Sequence, residues 1–80
     1  MIVFFYGKLA TSIAPQMDVP VETPCSVGGL RRHLMATYPD AAGTLQNERA
    51  KALVRETVVG DDYVLTKQDE VEFLAPVSGG

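Results

Sequence analysis

The sequence has no tryptophan, a single cysteine and a single histidine among its 80 residues, and these shortages remove several function classes. Cys25 has no partner for an internal disulfide. Cys25 and His33 are the only soft metal donors, where a structural zinc usually takes four ligands from cysteine and histidine. Long apolar runs are also missing: the longest strongly apolar stretch is residues 2–6, far short of the roughly 20 residues that cross a bilayer. No basic segment precedes it as a secretory signal requires, so the expected location is the cytoplasm and no membrane is expected as a partner. Basic charge is sparse and scattered, seven Lys and Arg against ten Asp and Glu, which gives no footprint for a nucleic-acid backbone.

What remains is an ordinary globular composition, 46% apolar and 21% charged with a net charge of -3, in a chain sized for one domain. At this length folding hides only about 60 to 65% of the surface of the unfolded chain, so the core has to be small. Residues 2–9 combine aromatic and β-branched side chains and predict a strand, with a loop at residues 11–15. Residues 17–22 predict a second strand, at an edge or with a bulge because Pro20 cannot donate to a ladder. Ser26 is a candidate N-cap. Val27, Leu30, Leu34 and Tyr38 follow on one face of a helix that Pro39 stops.

Residues 40–49 read as a loop with room for one helical turn, and residues 51–59 read as a strand. Gly60, Asp61 and Asp62 make a turn, residues 63–65 a short extended piece, and residues 70–74 a half-buried strand. The order strand, strand, helix, strand, strand predicts an α+β fold of the β-grasp kind, a mixed sheet with one main helix packed on one face. Residues 1–74 form this domain and residues 75–80 a flexible tail.

The strand faces carry a functional hint. With Val3, Phe5, Val71 and Phe73 in the core beside Leu30 and Leu34, the residues Phe4, Tyr6, Val58 and Leu74 are left for an exposed apolar patch that suits docking. The alternative is that the first strand is central and buried on both faces. After Leu74 comes Ala75, Pro76, Val77, Ser78, Gly79 and Gly80, a segment that packs nothing and reaches about 17 Å when straight. Threading it into another protein's active site costs about 1 to 2 kcal/mol per ordered residue, which binding through the patch offsets. A terminal glycine passes narrow channels and leaves its carbonyl open to attack. Its carboxylate is inert until adenylation turns it into a mixed anhydride, from which a sulfur nucleophile displaces AMP.

These residues resemble the MoaD-like family of sulfur carriers, the small subunits of molybdopterin synthase. The likeness runs through Val3, Phe4, Phe5, Tyr6 and Gly7, then Val27, Leu30, Arg31, His33 and Leu34, then residues 65–71, and most specifically the ending from Phe73 to Gly80. The resemblance implies a ubiquitin-like β-grasp fold and no permanently bound cofactor. It implies that ATP is used by a ubiquitin-activating-type (MoeB-like) adenylyltransferase, with an acyl-adenylate and then a thiocarboxylate forming at Gly80, next to Gly79. It also implies a heterotetramer with the large, MoaE-like subunit, in which sulfur passes to cyclic pyranopterin monophosphate. Phe4, Tyr6, Val58, Leu74, Pro76, Val77 and Ser78 would touch these partners. The chain departs from the family at Ala75, where a proline is usual, at Leu74, where an aromatic is commoner, and at Gly28 and Gly29 in the helix.

Other candidates are weaker. Gly28 and Gly29 ahead of Arg31 and Arg32 could bind an anion, with helix-entry flexibility as the plain reading. Cys25 could be a reactive thiol or an inert small hydrophobe. His33 is expected in solvent, and Asp61, Asp62, Asp69 and Glu70 are expected as turn carboxylates. No nucleophile, base and oxyanion set can be assembled, so an independent enzyme is the least supported class. A sulfur carrier for another pathway, such as thiamine thiazole synthesis, and a ubiquitin-like modifier or binding module stay open beside the molybdopterin reading.

Overall fold

A computed structural model describes residues 1–46 and 49–75. The chain begins with strand β1 (Ile2–Gly7), which alternates as its side chains predict: Val3 and Phe5 are buried, whereas Phe4 is half-buried and Tyr6 exposed. Gly7 ends the strand with φ 66°, a left-handed conformation that glycine adopts without steric cost. The chain then turns directly into a short helix α1 (Lys8–Ser12). The expected first strand therefore stops two residues early, and part of the expected loop is helical. Leu9, fully buried from α1, explains the difference: a helical turn directs it into the core.

β2 (Gln16–Asp18) pairs antiparallel with β1 at the sheet edge, but it is shorter than the expected strand over residues 17–22 and ends before Pro20, which cannot donate to a ladder. A two-residue strand β3 (Cys25–Ser26), which the sequence did not announce, leads into helix α2 (Val27–Thr37). The Ser26 side chain caps that helix by accepting from the Gly29 N–H at 2.9 Å. Val27, Leu30 and Leu34 are buried on one face, and Tyr38 ends the helix ahead of Pro39. A 3-10 turn (Pro39–Ala41) and helix α3 (Ala42–Leu45) fill most of the expected loop.

The stretch read as one strand over residues 51–59 is a hairpin of β4 (Lys51–Val54) and β5 (Thr57–Val59). Arg55 and Glu56 form its two-residue turn, both with positive φ as primed hairpin turns require. Neither is the Asn or Gly that marks such turns, so the break was hidden. β6 (Val64–Leu65) pairs with β3, and β7 (Val71–Ala75) completes the main sheet in the order β2-β1-β7-β4-β5. β1 and β7 are parallel and the other pairs antiparallel, giving a mixed sheet. β7 runs through Ala75, which is buried and registered with Gly7, one residue past the expected domain end.

The inner face of the sheet packs Val3, Phe5, Val71 and Phe73 against Leu30 and Leu34. Phe5 and Phe73 stack with centroids 6.2 Å apart, and burying each ring is worth about 1.5 to 3 kcal/mol. One charged group sits within this core. The Arg31 side chain, on α2, lies with its guanidinium carbon 5.3 Å from the Phe73 ring centroid. It donates to the carbonyl oxygens of Leu45 (2.6 Å) and Ala50 (3.0 Å) and, through Nε and Nη2, to Asp61 Oδ1. Gly28 allows this arrangement. A Cβ there would stand 3.2 Å from both the Cβ and the carbonyl oxygen of Asp61, and the Gly28 N–H donates to that same oxygen.

At the far end of the sheet Asp69 is buried and accepts from the backbone N–H and hydroxyl of Thr66 and from Arg55. The Thr66 N–H foremost, then Arg55, holds its carboxyl below the usual Asp range.

Two stability measurements follow. Arg31→Ala leaves the buried Leu45 and Ala50 carbonyls without their side-chain donor, so urea denaturation should show a loss of about 3 kcal/mol or more. For Asp69 the folded state favours the charged form. Its contribution is therefore present above the unfolded-state value of about 4 and lost as pH falls through the lower folded-state value. Melting curves of Asp69→Asn should accordingly lie below wild type at neutral pH and converge with it on acidification.

Candidate functional site

The outer face of the sheet is the one turned away from α2, and its composition follows from strand register. On β1 the outward residues are Ile2, Phe4 and Tyr6, on β7 Glu72 and Leu74, and on β4 Lys51 and Leu53. The register pairs Phe4 with Glu72, Tyr6 with Leu74, Leu74 with Lys51, and Leu53 with both Glu72 and Val58. Paired residues project to the same side, so Phe4, Tyr6, Leu53, Val58 and Leu74 share one surface. Tyr6 is 44%, Leu74 42% and Val58 60% exposed, whereas Phe4 and Leu53 are half-buried beneath them.

Phe4, Tyr6, Val58 and Leu74 thus come together as the alternation implied, and Tyr6 is not sealed under a second layer although β1 is a central strand. Leu53 belongs to the same surface and was missed. Its signal lay in the alternation of residues 51–54, which becomes readable once the hairpin is recognised. Among charged neighbours, Glu72 accepts a hydrogen bond of 3.0 Å from the Tyr6 hydroxyl. That bond raises the Tyr6 phenol above its ordinary value.

β7 carries this surface up to Leu74 and Ala75, at the point where the expected tail begins. Pro76, Val77, Ser78, Gly79 and Gly80 lie outside the described residues.

The remaining candidates resolve differently. At the start of α2 the Val27, Gly28 and Gly29 N–H groups are occupied by the carbonyls of Tyr63 and Asp61 and by the Ser26 side chain, and Arg31 is turned inward onto the Leu45 and Ala50 carbonyls and Asp61, whereas Arg32 is exposed. The backbone donors at this helix end are therefore already taken, and Gly28 serves close packing against Asp61. Cys25 is half-buried in β3, and burial pushes its thiol up, away from the reactive thiolate. His33 is exposed on α2. Asp61 is the counterion of Arg31 and Asp69 that of Arg55, both structural. Among the described residues no group of three or more His, Cys, Asp or Glu is placed to hold a metal, and no helix is long and apolar enough to cross a membrane.

Comparison with known proteins agrees with this architecture. The ThiS family model matches residues 3–80. The molybdopterin synthase sulfur carrier subunit of Escherichia coli (strain K12) is 40% identical over 79 residues, covering 98% of this chain and 96% of that protein. The crystal structure of SAMP1 from Haloferax volcanii superposes with a TM-score of 0.78 at 19% identity, covering 99% of this chain and 97% of that one. The solution structure of Urm1 from Trypanosoma brucei gives 0.71 at 27% identity, covering 99% and 93%. A ubiquitin-like β-grasp body that presents an apolar sheet face beside its last strand, matched along nearly its whole length by one family, leads to a single assignment: the chain belongs to the ThiS family.

Proposed function

We propose that this chain is the sulfur carrier subunit of molybdopterin synthase, working through the carboxylate of Gly80 while its partners perform the chemistry. The observation that supports this reading is the conjunction of an exposed apolar face, Tyr6, Val58 and Leu74, with a ThiS-family sequence that ends in Gly79 and Gly80. The 40% identity to the Escherichia coli carrier favours the molybdopterin pathway within that family.

In this mechanism the apolar face docks on an ATP-using adenylyltransferase of the ubiquitin-activating type. The Gly80 carboxylate attacks the α-phosphorus of ATP, pyrophosphate leaves, and the mixed anhydride makes AMP a good leaving group. Hydrosulfide, or a persulfide whose S–S bond a thiol then reduces, attacks the carbonyl carbon, the bond to AMP breaks, and a thiocarboxylate results. The same face next docks on the large synthase subunit, and the tail residues Pro76, Val77 and Ser78 line the path by which Gly80 reaches cyclic pyranopterin monophosphate. The thiocarboxylate sulfur bonds to the pterin precursor, water then hydrolyses the resulting acyl–sulfur bond, and the Gly80 carboxylate is regenerated with the sulfur left on the pterin. Glycine at the end minimises steric hindrance at the reacting carbon. The carrier itself supplies position: its thiol is kept protonated by burial, and His33 stands in solvent on α2.

Coexpression with the activating enzyme and a sulfur donor should raise the intact mass by about 16 Da, oxygen replaced by sulfur at an acyl carbon. Deleting Gly80 should abolish the shift while the melting temperature stays unchanged. An unshifted wild type under conditions that charge a control carrier removes the carrier reading, and isopeptide adducts on lysines in its place identify a protein modifier. Separately, Leu74→Glu should weaken binding to the large subunit by about tenfold or more with little change in melting temperature, because it puts a charge into the docking face and not into the core.

A further inference from the structure

The outer face of the sheet is apolar around one carboxylate. Glu72 stands between Phe4 on β1 and Leu53 on β4, its strand neighbours by register, with Tyr6 donating to one of its oxygens at 3.0 Å. In the free chain water solvates the rest of this half-buried group. A protein that covers Tyr6, Val58 and Leu74 removes that water, and one tyrosine hydrogen bond does not compensate a desolvated carboxylate, whose burial without a cation costs several kcal/mol. Either the docked partner brings a cation or Glu72 takes up a proton.

The surroundings distinguish the two. Glu72 opens onto a groove of about 430 Å³ whose walls include Phe4, Tyr6, Arg55, Glu56 and Glu70. The one cation in that wall, Arg55, is engaged by Asp69 at 2.9 Å and by the Tyr63 hydroxyl at 3.1 Å. Among the described residues no hydrogen bond or ion pair joins Glu56 or Glu70 to a basic group, and both are exposed. Lys51, the other cation on this face, is registered with Leu74 on the opposite side of β7 from Tyr6. The field in the groove is therefore negative, and its walls include two aromatic rings. This combination suits a guanidinium, which stacks on rings and offers parallel donors to a carboxylate.

We infer that the protein partner docking on this face inserts an arginine side chain into the groove beside Phe4 and Tyr6, where it pairs with Glu72, making Glu72 a specificity-determining residue at the middle of an otherwise apolar interface. The inference rests on the docking-face reading above and adds the chemistry that the partner has to supply. Tyr6 positions the carboxylate through its hydroxyl and forms part of the wall against which the guanidinium lies.

The test is calorimetric titration of the full chain with the large molybdopterin synthase subunit of the same organism. Glu72→Gln should weaken binding by about tenfold or more, and Glu72→Lys further, because each leaves the partner's cation buried without its counterion. Added salt should weaken the wild type more steeply than Glu72→Gln. Melting temperatures of the two variants should match wild type, and in Glu72→Gln the Tyr6 ring should titrate closer to an ordinary phenol. Equal or tighter binding by Glu72→Gln overturns the inference while leaving the docking face intact. So does wild-type affinity that rises, with proton uptake, as pH falls from about 7 to about 5, since that is the signature of a protonated carboxylate. A Tyr6 titration unchanged by Glu72→Gln removes the hydrogen bond on which the geometry stands. A wild type that fails to bind the subunit overturns the inference together with the docking reading, and the mass measurement at Gly80 then tells whether the carrier chemistry survives.

Discussion

The structure is organised around one buried guanidinium. Arg31 projects from α2 and gathers the carbonyl at the end of α3, the carbonyl just before β4 and the Asp61 carboxylate in the turn before β6, while its plane lies near Phe73 of the central strand. These segments also bury Leu45, Ala50 and Leu65 in the core, and Arg31 supplies the donors that their apolar contacts cannot. A methionine or leucine could fill the space but could not satisfy the two carbonyls, so the charge is retained because the backbone around it needs donors. Gly28 is the steric condition for this arrangement, since it lets the turn at Asp61 approach the helix closely enough for Arg31 to reach it.

Fixing the helix this way divides the sheet into two unlike faces. The inner one is sealed by α2 and the stacked Phe5 and Phe73; the outer one keeps apolar side chains in solvent. Such exposure weakens nothing in the monomer, because the outer residues sit on strands already fixed by the inner ones. It does give a partner a rigid, preformed platform.

Much of this was legible in the sequence. The alternation in β1 and β7 assigned Val3, Phe5, Val71 and Phe73 to the core and Phe4, Tyr6 and Leu74 to the outside. The capping Ser26, the apolar spacing of α2 and the stop at Pro39 were read directly, whereas the second strand, expected over residues 17–22, ends before Pro20. The failures share a cause: each depends on a contact distant in sequence or on unusual turn chemistry. Lys8–Ser12 is helical because Leu9 reaches the core, a tertiary reason that local propensity does not register. The β4–β5 turn carries Arg55 and Glu56 where Asn and Gly would have announced it. Arg31 read as half of an anion-binding candidate with Arg32, since burial of an arginine is decided by acceptors fourteen to thirty residues away. At the candidate site the apolar members were found from pattern, whereas Leu53 waited on the hairpin, and the bond between Tyr6 and Glu72 waited on the pairing of β1 with β7.

That pairing has a consequence for biosynthesis. β7 is the last strand made and also the middle strand of the sheet, lying between β1 from the other end of the chain and β4. A nascent chain that has not yet emitted Val71–Ala75 has β1 and β4 with nothing between them and lacks both Val71 and Phe73 from its core. Folding must wait until Val71–Ala75 have been made, and a copy truncated before this strand has no stable body to present to a partner. The order of translation thereby ties the outer surface to the core: no molecule presents that face before the strand that completes its interior has been made.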